Sequence, residues 1–258
     1  MVALYLTERA ETLAPSTLNR RMAAISVRHQ EHGLDSPTHN PDVRAVLTGI
    51  RRTTGTAQRQ VSPASIGEIR RMIAHLPDTT IGTRDKALLL VGFSGALRRS
   101  ELVALNVGDL KTQDEGIRVT LRRSKTDQER KGREGALPYG TDPQTCPVTA
   151  LRAWLDHAGI TRGAVFRSVD RHGNVSPARL SDRSVANIVK RAAEGAGLDP
   201  TEFSGHSLRA GFITTAAAAG ANERQIASQT GHTSMEVLRG YIRHGSLFTD
   251  NAATRLGL

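Results

Sequence analysis

"HSLRAGFITTAAAAG", residues 206–220, opens with a polar group of residues and then runs into small apolar ones. His206 and Arg209 stand three positions apart, so on a helix they share a face. The remainder of the stretch reads as core. The first turn of a helix also presents unpaired N–H groups and the positive end of the helix dipole, and both attract anions. An imidazole and a guanidinium at that point form a candidate oxyanion or phosphate site. A site of this kind needs further parts, and the rest of the chain has to supply them.

The composition narrows the partner. The chain has 258 residues, with 35 Lys+Arg against 25 Asp+Glu and a net charge of +10. A basic chain of this kind points to an anionic partner, most often nucleic acid. Hydrophobic residues make up 38% but aromatics only 3%, so the core is built from Ala, Leu, Val and Ile. Cys146 is the single cysteine, which excludes a disulfide scaffold and cysteine-based zinc sites. Apolar runs fall short of membrane-spanning length and the N-terminus lacks a signal-peptide pattern, so a cytoplasmic location is expected.

The N-terminal part is helical. Leu18, Met22, Ile25 and His29 fall on one stripe, and Arg20, Arg21 and Arg28 lie off it. Asn40 and Pro41 form an N-cap and first helical position ahead of Val43, Val46, Leu47 and Ile50. "RRTTGTAQRQVSP" then loses apolar periodicity. We therefore expect a helical segment over 1–52, a basic linker over 53–61 and a larger domain over 62–258. In that domain Ser62-Pro63 is expected to open a helix carrying Ile66, Ile69, Ile73 and Leu76. A further helix over "RDKALLLVGFSGALRRSELVAL" is expected to break near Gly92–Gly95. "GIRVTLRR" alternates Ile117, Val119 and Leu121 with polar residues, the period of a half-buried strand, and "ALPY" pairs with it as a hairpin or small sheet. Helices resume around Leu151–Leu155, Val185–Ala193, Leu208–Ala219, Glu223–Gln229 and Met235–Ile242. The fold class is mainly α with a small antiparallel β-sheet.

Tyr241 lies late on the last of these helices, nine residues after His232, with Arg239 and Arg243 beside it. A phenol with a pKa of about 10 is a weak nucleophile at neutral pH. Attack on a phosphodiester needs a nearby base and positive charge for the pentavalent transition state. His206, Arg209 and His232 supply part of this. A second guanidinium gives a two-pronged grip on the non-bridging oxygens. Arg98 meets that need, with Glu101 three positions on to hold it. A lysine suits protonation of the leaving 5′-oxygen; Lys125 is the candidate, with Lys111 and Lys131 as the other lysines nearby.

In this order, "GALRRSEL", Lys125 in a hairpin loop, "HSLR", "GHTS" and "YIR" resemble the tyrosine recombinase (phage integrase) family over essentially the whole chain. Residues 15–52 also resemble the end of that family's helical core-binding domain, so 1–52 reads as an incomplete form of it. The resemblance implies a site-specific recombinase, of the integration or excision type, that breaks and rejoins double-stranded DNA without metal, ATP or other cofactor. It implies Tyr241 as nucleophile, Arg98 and Arg209 as phosphate clamps and Lys125 as general acid. His206 becomes an acid/base group, His232 a phosphate ligand and Glu101 the support for Arg98. It also implies a homo-oligomer, a tetramer assembled on DNA, with Leu247, Phe248 and Leu256 as anchors in the tail, and association with the nucleoid.

Two other readings stand beside it. "ERQIASQTGHTSMEVLRGYI" fits a helix-turn-helix, with Ala227, Gly231 and Val237 in its key positions, as in a non-enzymatic regulator. A type IB topoisomerase shares the chemistry but not the exchange of strands. DNA contacts are expected from Arg20, Arg21, Arg28, Arg51, Arg52, Arg122 and Arg123. Neutralising any one of those that touches a phosphate should reduce the slope of log affinity against log salt by ~0.9, uniformly across DNA sequences. Binding titrations at several salt concentrations check this, and an unchanged slope marks the residue as a solvated charge.

Overall fold

Helices dominate because apolar residues recur at helical spacing over most of the chain, with caps at the breaks. The computed structural model describes residues 1–55, 61–122, 132–232 and 234–245. The chain divides into two compact units, Met1–Gln60 and Val61–Leu258.

The first unit holds α1 (Val2–Ala10), α2 (Pro15–Glu31) and α3 (Pro41–Thr54). Leu6, Leu18, Val43 and Leu47 form its small core. Asn40 caps α3 as its sequence implies, its side chain accepting from the Asp42 amide at 2.8 Å. The α1 helix lies within the segment expected to be helical, though no apolar stripe had marked it, and α3 runs two residues into the stretch expected to be linker, ending at Thr54.

The second unit begins with an extended segment where a helix was expected. Ser62 N–H donates to Glu202 O at 2.8 Å and Ala64 N–H to Ser207 O at 3.0 Å. α4 (Ile66–Ala74) starts only after Ser65, which forms a reciprocal capping box with Glu68. That box outweighs Pro63 as a start signal, because it satisfies two otherwise orphaned amides at once. α5 (Thr80–Ser94) is the buried centre of the unit, and nearly every residue from Ala87 to Phe93 is in the core. Gly92 does not break it: a Cβ there would lie 2.8 Å from Leu208 Cδ1, so the residue marks close helix packing. The break falls at Gly95–Arg98, and α6 (Arg99–Ala104) follows.

β1 (Leu110–Gln113), β2 (Gly116–Leu121) and β3 (Arg133–Pro138) make an antiparallel sheet in that order, with Leu121 opposite Arg133. α7 (Pro147–His157) packs on α5, and Trp154 is fully buried with its Nε1–H on Val165 O at 2.8 Å. A second two-stranded ribbon, β4 (Arg167–Val169) with β5 (Val175–Arg179), was too short and polar to stand out in sequence. α8 (Asp182–Gly195), α9 (Gly205–Ala218), α10 (Glu223–Thr230) and α11 (Met235–Gly245) complete the unit. Ile213, Ile226 and Leu238 join α9, α10 and α11 in a separate small core. The result is mainly α with small antiparallel sheets. Among the described residues, no helix is long and apolar enough to cross a membrane.

Gly211 lets α9 pass against the extended 62–64 segment; a Cβ there would stand 1.9 Å from Ala64 O. Gly211→Ala is expected to lower stability by about 1–3 kcal/mol through overpacking. Gly195→Ala, in open space on α8, should be neutral or stabilising by up to about 1 kcal/mol. Denaturant melts of the two variants test the contrast.

Candidate active site

Four elements of the second unit converge on one polar cluster. Arg98 is the N-cap residue of α6, with its amide donating to Glu101 Oε2 at 2.9 Å and its Nη1 to Oε1 at 2.6 Å. Glu101 is 1% exposed. Burial acts to raise its pKa, but the Arg98 amide, Arg133 and the Arg98 side chain outweigh it and hold the carboxyl below its ordinary value. The anticipated Arg98–Glu101 pair is thus an ion pair buried on its acidic side.

Arg209 is also 1% exposed, deep in the first turns of α9. Its Nη1 donates to Ala96 O at 2.7 Å. Ala96 holds φ at 48°, a conformation few side chains other than glycine adopt readily. The turn between α5 and α6 therefore aims a carbonyl at Arg209. Burial first, then the Arg98 charge, pushes the Arg209 pKa down to about 10, so it stays protonated at neutral pH.

His206 lies one turn before Arg209, with its Nε2 2.8 Å from Tyr241 Oη on α11. Although the residue is solvent-accessible, desolvation by the atoms packed around the ring, then Arg209, Arg98 and Arg99, lowers its pKa, which favours the neutral imidazole near pH 7. Tyr241 has its pKa raised by burial and partly offset by Arg209, so its hydroxyl keeps its proton. A neutral imidazole facing a phenol can accept that proton.

His232 follows Gly231, the left-handed C-cap of α10 with φ 64°. Thr230 Oγ1 is 2.7 Å from both Ile226 O and His232 Nδ1. The carbonyl can only accept, so the threonine hydroxyl donates to it and Nδ1–H donates to the hydroxyl. The other ring nitrogen, Nε2, lies 3.3 Å from Arg209 Nη2. Burial and the surrounding arginines push the His232 pKa to about 4.

The helix end itself works differently from the sequence expectation. Ser204 caps α9: its Oγ accepts from the His206 amide at 3.2 Å, and its carbonyl takes the Ser207 amide at 2.9 Å. The His206 and Ser207 amides are thus taken up by the cap.

The structure brings together Arg98, Glu101, His206, Arg209, His232 and Tyr241. Lys125, Arg123 and Lys131 lie outside the described residues, as do Leu247, Phe248 and Leu256, while Lys111 is exposed on β1. Arg122 is 69% exposed yet bonded to the buried Asp109. In the first unit Arg20, Arg21, Arg28 and Arg52 are exposed, Arg21 with a bond to Tyr5 Oη and Arg28 paired with Glu31 at 3.0 Å. Arg51 is half-buried and donates to Asn19 Oδ1 at 2.6 Å. Two contributors escaped the sequence reading. Thr230, which orients His232, stands two residues before it, directly ahead of "GHTS", but looks like an ordinary helix residue. Arg133 sat in a polar run without periodicity, and only its place opposite Leu121 would have marked it.

The geometry agrees with what the chain resembles. Residues 66–246 match the phage integrase family. An integrase/recombinase XerD homolog from Selenomonas ruminantium is 42% identical over 258 residues, covering 98% of this chain and 75% of that protein. Recombinase Cre of Escherichia phage P1 is 26% identical, over 93% of this chain and 74% of its own. Among solved structures, XerH site-specific recombinase bound to difH substrate superposes with a TM-score of 0.62 at 16% identity, over 96% of this chain and 74% of that one. The Tn1549 transposon integrase with circular intermediate DNA gives 0.60 at 17%, over 93% and 78%. The chain belongs to the phage integrase family, the tyrosine recombinases.

The His232 shift sets a pH dependence. Its pKa is near 4 in the folded chain and about 6.5 when unfolded, so the unfolded chain takes up the proton first. The contribution of neutral His232 to stability is complete above the unfolded value and is lost as pH falls from there toward about 4. His232→Asn should flatten the fall of melting temperature across that window; equal slopes in the two proteins would contradict the assignment.

Proposed function

We propose that this chain cleaves and rejoins DNA strands through a covalent 3′-phosphotyrosyl intermediate. One observation carries the reading: the Tyr241 hydroxyl lies 2.8 Å from His206 Nε2, beside the buried Arg209 and the carboxylate-held Arg98. That is a protonated nucleophile, a neutral base and fixed positive charge in one place.

In this mechanism Tyr241 Oη attacks the scissile phosphorus while its proton passes to His206. The bond from phosphorus to the 5′-oxygen breaks, and that oxygen takes a proton from a general acid, the role proposed for Lys125. Arg98 and Arg209 hold the non-bridging oxygens, and His232 binds the same phosphate group. Glu101 fixes Arg98. The fixed guanidinium charge meets the negative charge of the pentavalent transition state without reorganising. Rejoining reverses the steps, with a 5′-hydroxyl attacking phosphorus and Tyr241 leaving. Because the phosphotyrosyl link conserves the energy of the broken bond, the proposed cycle consumes no ATP. The arginines take the charge-neutralising part that a divalent ion plays elsewhere.

Double-stranded DNA is the proposed substrate, in line with the DNA-bound recombinases the chain resembles in fold. Residues 1–52 are the proposed core-binding segment and 62–258 the proposed catalytic domain. Assembly as a tetramer on DNA and association with the nucleoid belong to the same reading. The helix-turn-helix alternative gains no comparable support, since α11 packs on α9 and turns Tyr241 toward His206.

The test is trapping on DNA from the gene's own flanks, nicked so that the short cleaved strand diffuses away, in the presence of EDTA. A denaturing gel should show a protein–DNA adduct that Tyr241→Phe abolishes. Specific binding without an adduct would favour a regulator, and sequence-independent relaxation of supercoils would favour a topoisomerase.

A further inference from the structure

Arg133 opens β3 and reaches into the cluster from a direction none of the motif residues uses. Its Nη2 lies 3.3 Å from Glu101 Oε2, and its Nη1 donates to Gln229 O, in the last turn of α10, at 2.9 Å. Its chain packs over Gly231: a Cβ there would stand 2.7 Å from Arg133 Cδ and 2.8 Å from its Nε. Arg133 Nε is buried without a hydrogen-bond partner among the described residues. Leaving a guanidinium N–H unsatisfied, next to the like charge of Arg98, is unfavourable. Strand-to-helix attachment does not require it, because Gln229 Nε2 already donates to Ala136 O at 2.8 Å and Ser94 O at 2.9 Å.

What Arg133 adds is control of charge and of the His232 turn. Glu101 gives Oε1 to the Arg98 side chain at 2.6 Å, while Oε2 is divided between the Arg98 amide and Arg133. Without Arg133 the carboxylate would be left to Arg98 alone, and the cluster would lose one positive charge. The Gly231–His232 turn would also lose the side chain packed behind it.

We propose that Arg133 is a positioning residue for strand cleavage: by sharing Glu101 with Arg98 and backing the Gly231–His232 turn, it holds Arg98, Arg209 and His232 as one anion-receiving set. The proposal rests on the phosphotyrosyl reading above. It also has a readout independent of that reading, because Arg133 is among the charges that depress the His232 pKa.

Arg133→Met and Arg133→Lys are compared with the wild type in the full chain. Four quantities are measured: thermal melting, affinity for the nicked DNA, single-turnover adduct formation, and His232 titration by NMR without DNA. In Arg133→Met adduct formation should slow roughly 10- to 100-fold, as expected for misplacement of positioned groups, with much less change in DNA affinity. His232 should titrate at a higher pH. Lysine keeps the charge but cannot reach Glu101 and Gln229 O together, so it should restore the His232 titration and only part of the rate. A wild-type rate in Arg133→Met, or a lost rate with an unmoved His232 titration, overturns the proposal. If Arg133→Met fails to fold, Arg133→Lys decides: a slower rate at unchanged melting supports the role, and a wild-type rate rejects it. If the wild type itself forms no adduct, the phosphotyrosyl reading fails, and the His232 titration alone decides whether Arg133 acts on the site.

Discussion

The buried carboxylate of Glu101 is the constraint around which the site is arranged. A carboxylate at 1% exposure is tolerable only when its charge is matched and its lone pairs are filled. Arg98 and Arg133 do both, and Arg98 does so with its backbone as well as its side chain. The same contact is the N-terminal cap of α6, so helix start and guanidinium placement are one event. The turn just before it carries Ala96, whose carbonyl anchors Arg209. Displacing Glu101 would therefore disturb two arginines and a helix terminus together.

Around that single carboxylate the cluster is over-supplied with positive charge. Arg98, Arg133 and Arg209 lie close together, and both nearby histidines are pushed toward the neutral form. Each such shift records a cost of adding another proton to an electropositive, partly dry space. An arriving anion would relieve the cost, so the same shifts that weaken the fold at low pH would favour phosphate binding in the proposed mechanism. The neutral state forced on His206 is also the state in which it can take the Tyr241 proton. In the proposed mechanism one excess of charge would serve two ends, binding the anion and keeping a base unprotonated.

Much of the site could be read because its pairings are local. Arg98 with Glu101 and His206 with Arg209 are each three residues apart, and helical geometry alone puts each pair on one face. Helices with strong apolar spacing and clear caps, such as α3 with Asn40, were equally legible. Contributors set by contact between distant segments were not. Arg133 meets Glu101 across 32 positions and Gln229 across 96. Ser65 displaced Pro63 as the start of α4 because its capping box with Glu68 satisfies more backbone. Of the break expected near Gly92–Gly95, Gly95 does end α5, whereas Gly92 is a packing contact whose need for a missing side chain comes from Leu208 on another helix. The strands β1, β4 and β5 were too short for their alternation to register.

By itself the sequence determined the inventory and its order: which side chains have the chemistry, which pairs share a helical turn, and which segments alternate or repeat. Those properties depend on neighbours within a few residues and on the backbone periods of helix and strand. Only the tertiary structure decided that Tyr241 meets His206, that Ala96 O anchors Arg209 and that Glu101 serves two arginines. Each depends on where packed elements come to rest. That is set by the fit of Gly92, Gly211 and the α9–α11 core rather than by any local pattern.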